Sequence, residues 1–133
     1  MKIYLSSVFV DDQARALDFY TNKLGFALKR DVPTGQHRWL TVTTRGETND
    51  MELLLEPDEH PAAKAFKSAI KSDGIPATSF LVEDIDSEFE RLKAAGVEFL
   101  QQPMDAGPVR MAVLDDTCGN LVQLVEVRAD AMP

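Results

Sequence analysis

The stretch that decides the fold is SVFVDDQARALDFYTNKLGFAL, residues 7–28, because a second version of it, SFLVEDIDSEFERLKAAGVEFL, stands at residues 79–100. Both read as a short apolar strand, two acidic residues, a helix, a glycine and a second strand. Gly25 matches Gly96 at an offset of 71, whereas the strands before them match at an offset of 72, so the second helix is one residue shorter. The pattern indicates a duplicated structural unit.

The similarity continues through the second half of each copy. RWLTV, residues 38–42, aligns with VRMAV, residues 109–113, at an offset of 71. At the same offset the closing strands MELLLEP and VQLVEVR align, which places Glu52 and Gln123 at the same position in the two copies. The two copies stay aligned through four successive elements, which chance similarity rarely does. We therefore treat the duplication as real.

The helix of each copy has one apolar face and recognisable ends. Asp12 and Asp84 precede the helices at the N-cap position, where a carboxylate accepts hydrogen bonds from free backbone N–H groups. We therefore interpret the acid pairs at this point as helix caps and not as catalytic carboxylates. Glycine after each helix suits the C′ position, where φ is positive. The residues that recur at helical spacing are Leu17, Tyr20, Leu24, Ile85, Phe89 and Leu92.

These elements predict an α+β fold made of two tandem βαβββ modules, with a curled mixed sheet around an open trough. We expect a single domain over residues 1–133, with module one at about 3–57 and module two at about 75–128. A linker helix at about 60–73 joins them, beginning near a proline and ending at a glycine. It is expected to dock through Ala62, Phe66, Ala69 and Ile70.

Composition excludes several classes of function. The net charge is −8, so there is no basic stripe to neutralise the phosphates of a nucleic acid. The apolar runs have the length of strands and are too short to span a membrane, and the N-terminal residues do not read as a signal peptide. The single cysteine, Cys118, excludes an intramolecular disulfide and is interpreted as a turn residue, not as a reactive thiol. We expect a cytoplasmic protein.

One signature in the first copy, together with the repeat and the closing DDTCGNLVQL, resembles the vicinal oxygen chelate superfamily. This family includes glyoxalase I, bleomycin and fosfomycin resistance proteins, and extradiol dioxygenases. The resemblance implies a trough formed by two curled sheets, and often a homodimer. It does not specify the activity, because one fold hosts many functions. The signature V-x-D-x(6)-F-Y-x(3)-L-G-F is carried by Val10, Asp12, Phe19, Tyr20, Leu24, Gly25 and Phe26.

The resemblance also implies four positions for ligands of a divalent metal ion. On this chain they are Leu5, Glu52, Ala77 and Gln123. Leu5 and Ala77 cannot bind a cation, and an ion of this type generally needs three or four protein ligands. We therefore expect no conventional metal site and no cofactor. The alternative is a divalent ion held by Glu52 and Gln123, with His37 brought in from a loop.

Strand alternation assigns the remaining side chains to a face. Leu40 and Val42 are predicted to lie in the core, and therefore Thr41 and, by the offset of 71, Ala112 face the trough. Trp39 would offer a stacking surface, and Arg110 would hold a ligand anion or neutralise Glu52. The predicted ligand-binding residues are Ser7, Phe9, Trp39, Glu52, Leu54, Ser79, Arg110 and Gln123.

An apolar trough with a few polar anchors is typical of a small-molecule site. The leading hypothesis is a small-molecule binding protein of the bleomycin-resistance type, without a conventional metal site and forming a homodimer. The alternative is a metal-dependent lyase, isomerase or dioxygenase that uses Glu52 and Gln123, with Glu52 as the catalytic carboxylate. A metal-free enzyme with Glu52 as general base also remains open, as does whether the trough is formed within one chain or across two.

Overall fold

The computed structural model describes residues 1–46 and 51–128, which form two βαβββ modules joined by a helix. The first module comprises β1 (Leu5–Val10), α1 (Gln13–Asp18) with a following π-helical turn (Phe19–Lys23), β2 (Ala27–Thr34), β3 (His37–Thr43) and β4 (Glu52–Pro57). The joining helix is α2 (Pro61–Ser72). The second module comprises β5 (Thr78–Leu81), α3 (Ile85–Ala94), β6 (Phe99–Ala106), β7 (Val109–Asp115) and β8 (Leu121–Val127).

Each module forms its own four-stranded mixed sheet. The strand orders are β1-β4-β3-β2 and β5-β8-β7-β6, so the two sheets have the same topology. The first strand of each module pairs in parallel with the last, and the other neighbours are antiparallel. The predicted α+β fold of two repeated modules is confirmed, with two separate mixed sheets.

The extra residue in the first helical segment is absorbed by the π-helical turn. There the Leu24 N–H donates to the Phe19 carbonyl at 3.0 Å, a bond that spans five residues instead of four. A π-helical turn accommodates one additional residue without changing the helix ends. The helix α3 has no such turn, which accounts for the change of repeat offset from 72 to 71.

The predicted helix ends are also confirmed. The Asp12 carboxylate accepts from the backbone N–H of Arg15 at 3.0 Å, and Asp84 caps α3 in the same way at 3.2 Å. Gly25 and Gly96 follow the two helical segments with φ of 90° and 89°. Only glycine adopts such angles without strain, so both positions are restricted to it.

The helix-facing sides of both sheets contribute to one apolar cluster. In β1, β3, β4, β7 and β8, alternate residues belong to this core, as the alternation of strand side chains requires. The fully buried members include Ala16, Tyr20, Leu40, Val42, Leu55, Ile85, Ala112, Leu114, Cys118 and Val122. The faces of the sheets turned away from the helices are called the open faces below.

The core membership of β7 contradicts one part of the predicted trough. Ala112 and Leu114 are buried against the helices, and they correspond to Leu40 and Val42 at an offset of 72. The predicted offset of 71 in these strands was therefore wrong. Because a slip of one residue moves every side chain to the other face, Arg110 and Ala112 lie on the helix side and not in the trough.

The predicted docking face of the joining helix was also wrong, except at Ile70, which is partly buried. In α2 the buried residues are Ala63 and Lys67, whereas Phe66 is 58% exposed. Lys67 is buried because its ammonium group donates to the Asp58 carboxylate and to the Cys118 carbonyl, each at 2.8 Å. Apolar periodicity cannot predict a helix face that is anchored by a charged group.

Within the described residues, no helix is long and apolar enough to cross a membrane.

Candidate functional site

The open face of the first sheet has a buried centre and an exposed rim. Thr41, Glu52 and Leu54 are at most 6% exposed, although they point away from the helices. At the rim Trp39 and Val32 are 37% and 53% exposed. A face with a buried centre and an exposed edge has the burial pattern expected of a curled sheet. Its members are Leu5, Ser7, Phe9, Arg30, Val32, Trp39, Thr41, Glu52, Leu54 and Glu56.

Glu52 is the central polar group of this face. Its carboxylate accepts from the Thr41 hydroxyl at 2.8 Å and from Arg30 Nε at 3.1 and 3.4 Å. The Glu52 side chain is 4% exposed, whereas that of Arg30 is 51% exposed. A buried carboxylate generally requires a partner of this kind, since an unpaired buried charge is very costly. Glu52 therefore anchors an arginine that reaches solvent.

The position of Arg30 could not be predicted from the sequence because β2 contains a bulge. The pairing of β2 with β3 shifts between Leu28, which lies opposite Val42, and Arg30, which lies opposite Thr41. The extra residue changes which face the following side chains occupy. Simple alternation from Leu28 places Arg30 on the helix side, so no pattern in the sequence points to its contact with Glu52.

Several predicted residues lie where alternation placed them, on the open face of the first sheet. Ser7 pairs with Leu54 across the parallel β1–β4 ladder, and Phe9 pairs with Glu56. Ser7 is exposed and Phe9 is partly buried. Trp39 stands opposite Val32 in the β2–β3 ladder.

In the second sheet, Ser79 and Gln123 lie together. The Ser79 hydroxyl donates to the Gln123 side-chain oxygen at 2.7 Å, and the Gln123 amide contacts Met111 Sδ at 3.5 Å. All three point away from the helices, as predicted for Ser79 and Gln123.

The two predicted polar anchors are not equivalent in strand register. Glu52 lies opposite Leu5, whereas Gln123 lies opposite Ser79, two residues beyond Ala77 along β5. The Ala77 N–H donates to the carbonyl of Leu121 at 2.8 Å. The predicted equivalence of Glu52 and Gln123 is therefore wrong by two residues. Both side chains still point to the open face of their sheet, but they lie at different positions along their strands.

A cavity of about 240 Å³ lies where the two modules meet. Glu52 comes from the first module and Ser79 from the second, and both reach this cavity. Phe26 and Phe80 form another part of its wall, with ring centroids 4.8 Å apart in an edge-to-face arrangement. Gln123 is not among the residues that line it.

Arg110 and His37 contact acidic side chains away from Glu52. Arg110 bridges Asp86 at 2.7 Å and Asp105 at 3.1 Å on the helix side, and these carboxylates raise its pKa above the usual value. His37 Nε2 is paired with the carboxylate of Glu59. The predicted role of Arg110 as the partner of Glu52 is therefore wrong, and Arg30 takes that place.

Cys118 lies in the β7–β8 turn and is fully buried. Burial, with a further contribution from the nearby Asp116 carboxylate, raises the pKa of the Cys118 thiol to about 12. Because the thiolate is the reactive species, such a thiol is inert near neutral pH. The interpretation of Cys118 as a packed turn residue is confirmed.

The donor set does not fit the four-ligand metal site that the resemblance implies. The side chains of Leu5 and Ala77 have no donor atom, and Gln123 offers a neutral amide that already binds Ser79. Among residues 1–46 and 51–128, no group of three or more His, Cys, Asp and Glu side chains is placed to hold an ion. Divalent ions of the zinc or nickel type generally require about three or four protein ligands.

Comparison with known proteins gives consistent matches over nearly the whole chain. Residues 3–124 match the family model of the glyoxalase/bleomycin resistance protein/dioxygenase superfamily. The uncharacterized protein YurT of Bacillus subtilis is 54% identical over 126 residues, covering 95% of this chain and 99% of YurT. The crystal structure of UcmS2 is similar with a TM-score of 0.80 and 32% identity, covering 94% of this chain and 97% of UcmS2. The crystal structure of TnmS3, an antibiotic binding protein from Streptomyces sp. CB03234, is similar with a TM-score of 0.77 and 29% identity, covering 96% of this chain and 97% of TnmS3.

Proposed function

The chain belongs to the glyoxalase/bleomycin resistance protein/dioxygenase superfamily, and from this membership we propose that it is a small-molecule binding protein. The ligand is an aromatic or amphipathic molecule held against the open face of the first sheet. The observation that carries this proposal is the burial pattern of the open face, in which exposed Trp39 lies on the same side of β3 as Thr41, and Thr41 hydrogen-bonds the buried Glu52 that is paired with Arg30. An apolar surface with a few fixed polar groups is the usual composition of a ligand site.

The comparison with TnmS3 supports the same proposal. That protein has the same fold and binds an antibiotic. At 29% sequence identity, antibiotic binding is a function that can reasonably be tested for this chain as well. The fold by itself does not carry a function, because the superfamily contains both enzymes and binders. The side chains of the open face therefore decide the proposal, and they offer a stacking surface and charged anchors.

The arrangement around Glu52 favours binding over catalysis. A general base must lie within hydrogen-bond reach of the proton it removes. In this site the Glu52 carboxylate already accepts from Thr41 and Arg30 and is almost fully buried. Its contacts hold Arg30 in place, and a side chain that is only 4% exposed gives a substrate little access to its oxygens.

Binding is tested with 8-anilinonaphthalene-1-sulfonate, an amphipathic aromatic probe, and with a panel of planar aromatic antibiotics. Trp39 is the only tryptophan of the chain, so its emission reports on the open face directly. We expect saturable quenching with one probe per chain, confirmed by calorimetry. The absence of saturable binding for every member of the panel would refute the proposal.

We also propose that binding requires no metal ion. The protein is purified, dialysed against Ni²⁺, Zn²⁺, Mn²⁺ or Fe²⁺, washed and subjected to elemental analysis. We expect less than one tenth of an ion per chain and unchanged probe binding with and without a chelator. One tightly held ion per chain would favour the alternative of a lyase, isomerase or dioxygenase. Under that alternative Glu52→Gln would abolish the activity, whereas it changes the binding of a neutral probe only modestly.

The same proposal includes a homodimer in the cytoplasm. Leu81 on β5 is 74% exposed and Leu100 on β6 is 59% exposed, and both strands are outer strands of their sheet. Outer strands with apolar side chains are common pairing surfaces. Size-exclusion chromatography with light scattering is expected to give twice the mass of one chain, and a monomer at micromolar concentration would contradict it. Cell fractionation tests the location.

A further inference from the structure

We propose that Arg30 selects the ligand, and that the ligand is a planar aromatic monoanion whose acidic group binds the Arg30 guanidinium. This inference rests on the proposed binding function, since it names the ligand class of the same open face. It concerns a residue that the repeat and the family signature do not mark, because the β2 bulge brings it to this face. Its grounds are the geometry of Arg30, its neighbours and the charges around it.

The first ground is that Arg30 is held by only one of its nitrogens. Its Nε donates to both oxygens of Glu52, at 3.1 and 3.4 Å. The carboxylate is buried and rigid, and Thr41 fixes it further at 2.8 Å. Arg30 is thus oriented before any ligand arrives, which lowers the conformational entropy that binding must overcome.

The second ground is that the outer part of the guanidinium is free to bind. Within the described part of the chain neither Nη atom of Arg30 has a hydrogen-bond or ion-pair partner, and the side chain is 51% exposed. Guanidinium groups bind carboxylates and similar oxyanions through two parallel N–H groups. Arg30 therefore offers the N–H groups of both Nη atoms to a ligand, while its Nε remains bound to the Glu52 carboxylate.

The third ground is the apolar surface beside Arg30. Val32 and Trp39 face each other across the β2–β3 ladder, next to the pair formed by Arg30 and Thr41. Diagonal neighbours on one face lie about 7–8 Å apart, a distance that a bicyclic aromatic ring covers. Val32 and Trp39 are both more than one third exposed, so they offer an aromatic ring apolar surface on the same face of the sheet as Arg30.

The surrounding charges limit the ligand to a single negative charge. Glu56 lies on the same face, opposite Phe9, and has no ion-pair partner in the described part of the chain. A second acidic group on the ligand would approach Glu56 and be repelled. The net charge of −8 also disfavours polyanions such as nucleotides.

The test uses two probes that differ only in the acidic group. 8-Anilinonaphthalene-1-sulfonate carries a sulfonate, and N-phenyl-1-naphthylamine is the same ring system without it. Both are titrated against the wild type, Arg30→Gln, Arg30→Lys and Arg38→Gln. The last is a matched control, because Arg38 is in the same sheet but its guanidinium is paired with Asp31 at 2.9 and 2.7 Å. Energy transfer from Trp39 to the bound probe confirms the location.

We expect Arg30→Gln to weaken binding of the sulfonate probe about tenfold or more, because it removes a charge-assisted hydrogen bond. The neutral probe should change less than twofold, and Arg30→Lys should be intermediate for the sulfonate. Arg38→Gln should leave both affinities unchanged, although it alters the net charge equally.

The other outcomes separate the inference from the proposed function. If Arg30→Gln leaves the sulfonate affinity unchanged, or weakens both probes equally, Arg30 does not select an acid and the inference is overturned while the binding function stands. If neither probe binds the wild type, the binding function in this form fails, and the inference fails with it.

Discussion

The Tyr20 hydroxyl donates a 2.7 Å hydrogen bond to Asp116 Oδ2, linking the first module to the turn between β7 and β8 of the second. Both residues are completely buried. Asp116 also accepts from the backbone N–H groups of Cys118 and Asn120 and from the Asn120 side chain. The Asn120 amide in turn donates to the Phe9 carbonyl at 2.7 Å. One buried carboxylate with four donors thus forms a polar contact between the modules.

Replacing Tyr20 by phenylalanine should destabilise the protein by about 1–3 kcal/mol, because Asp116 would lose one donor while remaining buried. Chemical denaturation measures the change. Tyr4→Phe is the control, since Tyr4 is the only other tyrosine and is 48% exposed. It should change the free energy of unfolding by less than about 0.5 kcal/mol. Equal effects of the two substitutions would show that the Asp116 contact is not stabilising.

Stability should fall at alkaline pH because two buried groups keep their protons in the folded state. The pKa of Cys118 is raised from 9.0 to about 12, and burial followed by the Asp116 charge raises that of Tyr20 well above 10.0. The unfolded chain releases these protons first, so the stabilisation is complete below pH 9 and is lost as pH rises. Between pH 9 and 10 Cys118 alone should contribute a slope approaching about 1.4 kcal/mol per pH unit.

The measurement is the free energy of unfolding from pH 8 to 11 for the wild type and Cys118→Ala. The variant should be less stable at pH 8, since it leaves a small cavity, but its stability should decline less steeply above pH 9. Parallel profiles would contradict the assignment to Cys118. A thiol reagent at pH 8 should label Cys118 only as fast as the protein unfolds.

Gly119 should tolerate alanine less well than Gly96, although their φ angles of 93° and 89° are alike. A Cβ at Gly119 would lie 2.5 Å from Cε of Lys67, whereas at Gly96 it would meet nothing within 4 Å. Positive φ should cost about 1–2 kcal/mol at both sites. Gly119→Ala should cost about 1–3 kcal/mol more, because Lys67 must leave Asp58 and the Cys118 carbonyl.

A double-mutant cycle isolates that excess. In a Lys67→Ala background the cost of Gly119→Ala should fall to that of Gly96→Ala, since nothing then occupies the space. Denaturant unfolding measures the free energy of unfolding of each variant in the cycle. An additive cycle would mean that Lys67 moves aside from the new methyl group at no cost.

Arg110→Gln should leave the affinity for 8-anilinonaphthalene-1-sulfonate within twofold of the wild type. Arg110 lies on the helix side, where it bridges Asp86 and Asp105, so it does not contact the open face. Fluorescence titration at low and physiological salt measures the effect. A tenfold loss, as expected for Arg30→Gln, would place the anionic ligand group near Arg110 instead.

The elements that the sequence predicted well are those set by local chemistry. Asp12 and Asp84 cap their helices because a carboxylate at that position satisfies backbone N–H groups, whatever the rest of the fold does. The alternation in β3 and β4 was also sufficient, so that Leu40 lies in the core and Glu52 on the open face. Together with the repeat, these features gave the topology of both modules.

The errors come from register, which short-range patterns do not determine. VRMAV can be aligned with RWLTV at an offset of 71 or 72, and the two alignments place Arg110 on opposite faces. The bulge after Leu28 has the same effect on Arg30. The buried face of α2 was missed for another reason, since Lys67 is buried by partners 9 and 51 residues away. Such contacts depend on the assembled fold.

Trp39 should supply much of the affinity for an aromatic ligand. It is 37% exposed on the open face, and a ring stacked on it gains about 0.5–1.5 kcal/mol beyond the burial of apolar area. Trp39→Leu should therefore weaken binding of both anilinonaphthalene probes about three- to tenfold, whereas Trp39→Phe should retain most of the affinity. Because Arg30 remains, the ratio of the affinities for the sulfonate and neutral probes should not change. Leu100→Ala is the control, since Leu100 is 59% exposed on β6 of the second sheet, apart from this face. If Leu100→Ala weakens binding of the probes and Trp39→Leu does not, the ligand binds outside the open face of the first sheet, contrary to the proposed site.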